Sequence, residues 1–348
     1  MTVNQKKGRI LGIPNRYYVL LFIILGFIAA RFYPPILPHI QLPAEAYNPE
    51  QPLFGNFYWT NTLTAMVIAD IIILILALIV RRVVKKVEKD GTLIPLGITG
   101  AIEALLEIIY NLTESTAGKW TKRIFPYFAT ITLFVLIVNW TELIPGVDSI
   151  GILHQAKVGQ GYRVQELTTN IATLVKPECA LTEAGATQTD TTNLNTGEGR
   201  GRCFELVPYV RVLSTDLNFT VALALISVVM TQVFGVQSLG GSYFQKFFNV
   251  KGFFSRPIFG IIDFGVGLLE LISEISKILS FSFRLFGNIF AGSVLLFVIG
   301  TLVPVLAQSV FLMLEFFVGL IQAVVFGMLT MVFMSQATAG HGEHAEGH

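Results

Sequence analysis

The stretch "SFSFRLFGNIFAG" (280–292) sets one arginine, Arg284, in a run that is otherwise free of charge. No other formal charge occurs from Ile278 through Leu314, and the neighbours are mostly Phe, Leu, Ile, Val, Gly and Ala. A guanidinium in so apolar a segment is costly and marks a function or a partner. No acidic residue lies three or four positions to either side, so its counter-charge has to come from another helix or another protein.

Composition agrees with a membrane setting. The chain has 348 residues, of which 53% are hydrophobic and 14% charged, and its mean hydropathy is +0.65. That is too apolar for a soluble domain of this size and reads as a polytopic membrane protein. A net charge of +1 gives no handle for nucleic acid, and two cysteines exclude a zinc cluster or a disulfide scaffold. No metal site or cofactor is expected.

Apolar runs at 17–32, 61–80, 125–144, 219–234, 259–299 and 302–334 predict about six membrane-embedded helices. The run 259–299 is too long for one upright crossing, which implies steep tilt or a part lying along the membrane. Basic clusters then orient the spans. Lys6, Lys7, Arg9 and Arg16 precede the first, "RRVVKK" (81–86) follows the second, Lys119, Lys122 and Arg123 precede the third, and Lys246, Lys251 and Arg256 follow the fourth. All fall on one side if each span crosses once. By the positive-inside rule that side is cytoplasmic, with both termini inside; Arg31 and Arg211 run against it. The first span reads as retained, with a cleaved signal peptide as the alternative.

Two polar segments interrupt the spans. In "ITGAIEALLEIIYNLTESTA" (98–117), Ile98, Ile102, Leu105, Leu106 and Ile109 alternate with Glu103 and Glu107 at helical spacing, which predicts an amphipathic helix at the cytoplasmic surface. The outside loop, 145–208, has a Thr/Gly-rich middle flanked by Cys179 and Cys203. In one extracytoplasmic loop that pair reads as a disulfide, with two unrelated thiols as the alternative.

Alternating steps of four and three from Arg284 reach Ser280, Lys277, Ser273 and Glu270 on one side and Gly287 and Asn288 on the other. These form one polar helical stripe. Its fourteen residues from Glu270 to Arg284 cover roughly 21 Å of helix, a large part of a bilayer. A buried polar line of that length reads as a path. In the next run Glu315, Gly319 and Gln322 repeat the spacing, and Glu315 is the only carboxylate between Glu274 and Glu343. Plainer readings stand beside these. Gln322 alone equally suits a bond to a neighbouring helix, the serines suit bonds to their own helix carbonyls, and Glu270, Glu274 and Lys277 suit headgroup-level charges that snorkel to water.

At "SFRLFGNIFAG" (282–292) the chain resembles subunit a of F-type ATP synthases, the membrane stator that faces a rotating ring of c subunits. Supporting matches are "RRVVKK", "VNWTELIPG" (138–146), "STDLNFTVALAL" (214–225), "LLELISEISKILS" (268–280) and "LIQAVVFGMLT" (320–330). The resemblance implies an all-α polytopic fold whose long, tilted helical hairpin faces the c-ring. It also implies that Arg284 is the essential arginine, with Asn288 four residues on and Gln322 on the last helix. Glu270, Ser273 and Ser280 match polar positions of a cytoplasmic half-channel. Asn288, Glu315 and Gln322 belong to an outer path, with Glu142, Asp148 and Asp216 at or near its mouth. The chain departs from the bacterial pattern twice: Ser293 stands where a glutamate is frequent, and Glu315 where a histidine is frequent. The first span and the cysteine-bearing loop exceed the common core.

The chemistry implied is a proton motor. Each rotor carboxyl crosses lipid neutral and must lose its proton at the stator; an arginine favours the ionised form without passing a proton on. No nucleotide-binding motif occurs, since "AGKW" (117–120) lacks the glycine lead and the hydroxyl of a P-loop. ATP chemistry therefore falls to other subunits, and the expected partners are c-ring subunits, peripheral-stalk b subunits, the rest of the synthase and membrane lipids. The expected place is the inner (plasma) membrane. The alternative, a secondary ion transporter or other channel using an intramembrane arginine, predicts two corresponding halves with broken helices, and no such repeat is found.

The expected organisation is an N-terminal extension (1–58), a first core span with surface helix and next span (59–144), the outside loop (145–209), a fourth span with cytoplasmic loop (210–258), the hairpin (259–335) and a His-rich cytoplasmic tail (336–348). Asp70, central in the second span, has no place in this scheme.

Overall fold

The computed structural model describes residues 9–10, 13–32, 43–48, 52, 55, 57–90, 98–144, 146–155, 160–168, 171–180, 204–247, 257–303 and 305–339. Cys203, Lys6, Lys7, Lys251, Arg256 and the tail 341–348 lie outside these, so the Cys179–Cys203 pairing does too. The helices are α1 (Asn15–Phe32), α2 (Asn61–Asp90), α3 (Ile98–Ala117), α4 (Thr121–Trp140), α5 (Leu217–Leu239), α6 (Pro257–Leu302) and α7 (Leu306–Thr338). Among the described residues, five stretches are long and apolar enough to cross a membrane: Asn61–Val83, Ile102–Leu143, Leu217–Phe244, Phe264–Leu302 and Leu306–Thr338, with the shorter apolar helix Tyr17–Phe32 besides. The chain is thus an α-helical polytopic membrane protein.

Helix ends follow local chemistry. At the head of α2, Thr60 Oγ1 accepts the Leu63 amide at 3.3 Å, satisfying a group a helix start leaves open, and the Asn61 side chain donates to Glu45 Oε2 at 3.1 Å, tying the helix start to the preceding segment. Asp216 caps α5 by accepting the Asn218 amide at 2.9 Å, and Gly240 ends it at φ 60°, a conformation natural only to glycine. α2 runs on through "RRVVKK" to Asp90, ten residues past the expected end of the span at Val80, because Arg, Lys and Glu are good helix formers once clear of lipid. With 46 residues, α6 is about 69 Å long, more than twice the hydrocarbon thickness, so it cannot stand upright within it.

Two compact units are present. The first comprises Met1–Gln41, Asp148–Tyr209 and Ala291–Glu315, the second Leu42–Val147, Val210–Phe290 and Phe316–His348. In the first, β1 (Arg9–Ile10) pairs with β2 (Ile13–Pro14), and the loop 145–209 carries β3 (Gly151–Gln155), β4 (Gln160–Thr168), β5 (Ile171–Ala180) and β6 (Phe204–Pro208), an antiparallel sheet in the order β3-β6-β4-β5. The loop's strands were not expected from its sequence. Gly151 pairs with Pro208, and a side chain at 151 would strike the Val207–Pro208 backbone. Elsewhere in this unit Gly26 of α1 makes room for Val305, which follows α6 at φ 74°.

The second unit is a helical bundle. Ile131, Val135 and Leu136 of α4, Leu223 and Ala224 of α5, Phe281, Leu285 and Ile289 of α6 and Ala323 and Phe326 of α7 form its main cluster. In lipid such contacts gain little from leaving water, so close approach and polar bonds decide the packing. Both occur between α4 and α7. A side chain at Gly327 would collide with Thr132 and Phe128. Asn139 donates to the Gly319 carbonyl at 3.2 Å, Trp140 donates to the Phe316 carbonyl at 3.2 Å, and the Trp140 and Phe316 rings stack at 4.8 Å. Ser214 completes the knot by donating to Asn139 Oδ1 at 2.6 Å. The "VNWTELIPG" stretch is therefore a fastening between helices far apart in the chain. α3 occupies the expected span, but it is more than a surface element: Ile109 and Ala117 pack with Phe128 of α4 and Met331 and Met334 of α7.

Candidate functional site

α6 has two faces in the second unit. Phe281, Leu285 and Ile289 are 2%, 1% and 1% exposed and face the bundle. Ser273, Ser280, Phe283, Gly287 and Asn288 are exposed, while Glu270, Lys277 and Arg284 are half-buried at the border between the faces. Apart from Ser276 the other exposed positions are apolar, with Leu268, Leu269, Ile272, Leu279 and Phe283 open. Arg284 thus stands at the edge of an uncovered apolar surface.

Its guanidinium donates to Ser280 Oγ one turn back at 3.4 Å, a long bond. Among the described residues no carboxylate pairs with it. A cation held at an apolar face without an internal anion is suited to an anion that arrives from outside the chain.

Glu315, on α7 in the first unit, is buried at 7% exposure. Its carboxylate lies directly against Gly292, where any side chain would overlap it; Ser293, the next residue, is also buried. Oε2 of Glu315 has no hydrogen-bond partner among the described residues. The carboxylate is therefore seated by shape, in the space a glycine leaves, and keeps one oxygen free for a proton or water.

The remaining expected residues divide by surroundings. Asp216 is buried and spent on capping α5. Glu142 and Asp148 are half-buried in short 3-10 turns, and Gln322 is half-buried on α7. Asp70 is exposed on α2.

Three features of this region were not in the expected set. Glu274 is buried and pairs with Lys277 at 2.8 Å. Tyr243, beyond α5, donates to Gln232 Oε1 at 2.7 Å. Asn139 with Ser214 forms the knot described above. Glu274 and Lys277 lie inside the quoted motif 268–280, and Asn139 and Ser214 inside 138–146 and 214–225, whereas Tyr243 lies in none of the quoted motifs.

A comparison with protein families matches residues 63–335 to the family described as ATP synthase A chain. Among curated relatives, "ATP synthase subunit a" of Geobacter sulfurreducens is 37% identical over 75 residues, 22% of this chain and 31% of the relative. The protein of the same name from Trichlorobacter lovleyi is 33% identical over 76 residues, 22% of this chain and 30% of the relative. That of a Sulfurihydrogenibium species is 38% identical over 61 residues, 18% of this chain and 30% of the relative. Each match spans less than a third of the relative's length, whereas the family match takes in every helix from α2 to α7 and with them Arg284, Asn288, Glu315 and Gln322. The chain belongs to the ATP synthase A chain family.

Proposed function

We propose that this chain is the proton-translocating stator of a rotary ATP synthase, and that the open face of α6 meets a ring of c subunits. The observation that carries the reading is Arg284, a cation at the border of an exposed apolar face with no carboxylate partner among the described residues. A ring helix bearing one carboxyl group supplies what that face lacks: apolar cover and an anion. Facing Arg284, the carboxyl ionises and gives up its proton; leaving Arg284, it takes one up before returning to lipid.

Two offset paths serve these steps. Glu270, Ser273 and Ser280 line the cytoplasmic exit; Asn288, Glu315 and Gln322 line the outer entry, with Glu142, Asp148 and Asp216 near its mouth. Each proton crossing delivers about 2.3 kcal/mol per 100 mV, so one ATP needs several. Peripheral-stalk b subunits hold the stator against the torque, both termini lie in the cytoplasm, and the complex sits in the inner (plasma) membrane.

The test of the partner is a photo-activated cross-linker placed at Asn288, on the open face one turn beyond Arg284, in the assembled complex. The expected product joins this chain to a small two-span subunit, through a peptide within about a turn of a membrane Asp or Glu. Adducts with lipid alone, or with a span that carries no carboxylate, contradict the assignment.

A further inference from the structure

Lys277 is the second cation at the border of α6. It lies seven residues before Arg284, about 10.5 Å along the helix and on the same side. A lysine stem is long and mobile, so this ammonium is able to swing onto the open face. There it would be a rival to Arg284: a second cation for the arriving carboxylate and, unlike guanidinium, one that exchanges its proton.

The side chain is turned the other way. Its Nζ lies 2.8 Å from Oε1 of Glu274 and 4.7 Å from the centre of the Phe333 ring. Both partners are on the inner side. Glu274 is 7% exposed, and Phe333 packs against the main cluster of the bundle, its ring stacked on Phe281 at 5.6 Å. A carboxylate and a ring face are the two surfaces that hold an ammonium best away from water. Tyr243 lies within electrostatic range of Glu274 and Glu270, so the inner side has polar company of its own.

We propose that Glu274 is a positioning residue which, with Phe333, holds Lys277 inward and leaves Arg284 the only cation presented to the ring on this part of α6. The proposal rests on the reading of Arg284 as the residue that meets the ring carboxylate. Glu274 acts through Lys277 and does not itself carry the proton. Removing Glu274 leaves a half-buried ammonium without its anion, a costly state that the lysine relieves by moving outward.

Two readouts on membrane vesicles holding the assembled complex test this. The first is labelling of Lys277 by a small amine-acylating reagent, read by peptide mass spectrometry; it requires no pumping. Lys277 should be protected in the wild type and labelled several-fold more in Glu274→Gln. The second is ATP-driven proton pumping, which should fall about ten-fold in Glu274→Gln, persist in Glu274→Asp, and return to within about two-fold of wild type when Lys277→Gln is added to Glu274→Gln. Where Glu274→Gln fails to accumulate, Phe333→Leu with and without Lys277→Gln decides by the same measures. Unchanged labelling, or a double variant as impaired as the single one, overturns the positioning role. Failure of the stator reading has a different sign: Arg284→Ala would then pump normally, whatever the labelling of Lys277 shows.

Discussion

Arg284→Ala should abolish ATP-driven proton pumping in inverted membrane vesicles while the chain still accumulates in the membrane. Among the described residues the side chain's bond is a long one, to Ser280 on its own helix, so little of the described fold depends on it. Its effect falls on the partner. An opposing guanidinium lowers a carboxylate pKa by about 1–3 units, a 10- to 1000-fold gain in the ionised form. Without it the ring carboxyl keeps its proton as it passes, and entry and exit are no longer separated. Passive proton leakage should rise as coupling falls. Lysine should rescue poorly, because an ammonium near apolar surface gives up its proton and a guanidinium does not. Coupled pumping near the wild-type rate in Arg284→Ala vesicles would contradict the role given to this residue.

The second large effect is expected at Gly292. The Glu315 carboxylate occupies the space next to its Cα, and a Cβ there would overlap the carboxylate. Gly292→Val should therefore displace Glu315 and cut pumping roughly ten-fold or more, in the range of overpacking penalties of about 1–3 kcal/mol. Gly292→Ala should do the same to a smaller degree. Combining Gly292→Val with Glu315→Asp shortens the acid by one methylene and should recover part of the loss. A general folding defect would not respond in that way. Pumping by Gly292→Val equal to wild type would show that the seat of Glu315 carries no function.

The parts of this structure that could be read in advance are those where one helix states its own case. Apolar spacing gave α3 the bounds Ile98–Ala117 that it has, and a lone arginine with serines at helical steps located the face of α6. Prediction was poorer where a feature depends on distant residues. Glu274 sits one position from Ser273, a rotation of about 100° on the helix. That small turn takes it from the open face to the interior, where the ring of Phe333, part of α7, holds its lysine partner. Stepping from Arg284 by threes and fours selects Ser273 and passes over Glu274. The Asn139 knot has the same character, since its acceptor at Gly319 is 180 residues away. In the loop 145–209 the difficulty is different. Strand β4 does alternate, with Tyr162 and Val164 partly buried and Arg163 and Gln165 exposed, but four residues of alternation are a weak signal inside a loop rich in Thr and Gly. Asp216, expected near the mouth of a path, also caps α5, a local role that its place just before the helix start allows.

The central claim is that protons reach the ring by two paths that open on opposite sides of the membrane, and direct access to the two carboxylate positions tests it. With Cys179 and Cys203 replaced by serine, single cysteines at position 315 and at position 270 are exposed to a small, membrane-impermeant thiol reagent applied to one side at a time. The account predicts that Glu315→Cys reacts from outside and Glu270→Cys from the cytoplasmic side. Reaction of both from the same side would contradict it, because a stator whose paths share one compartment has no gradient to convert into rotation.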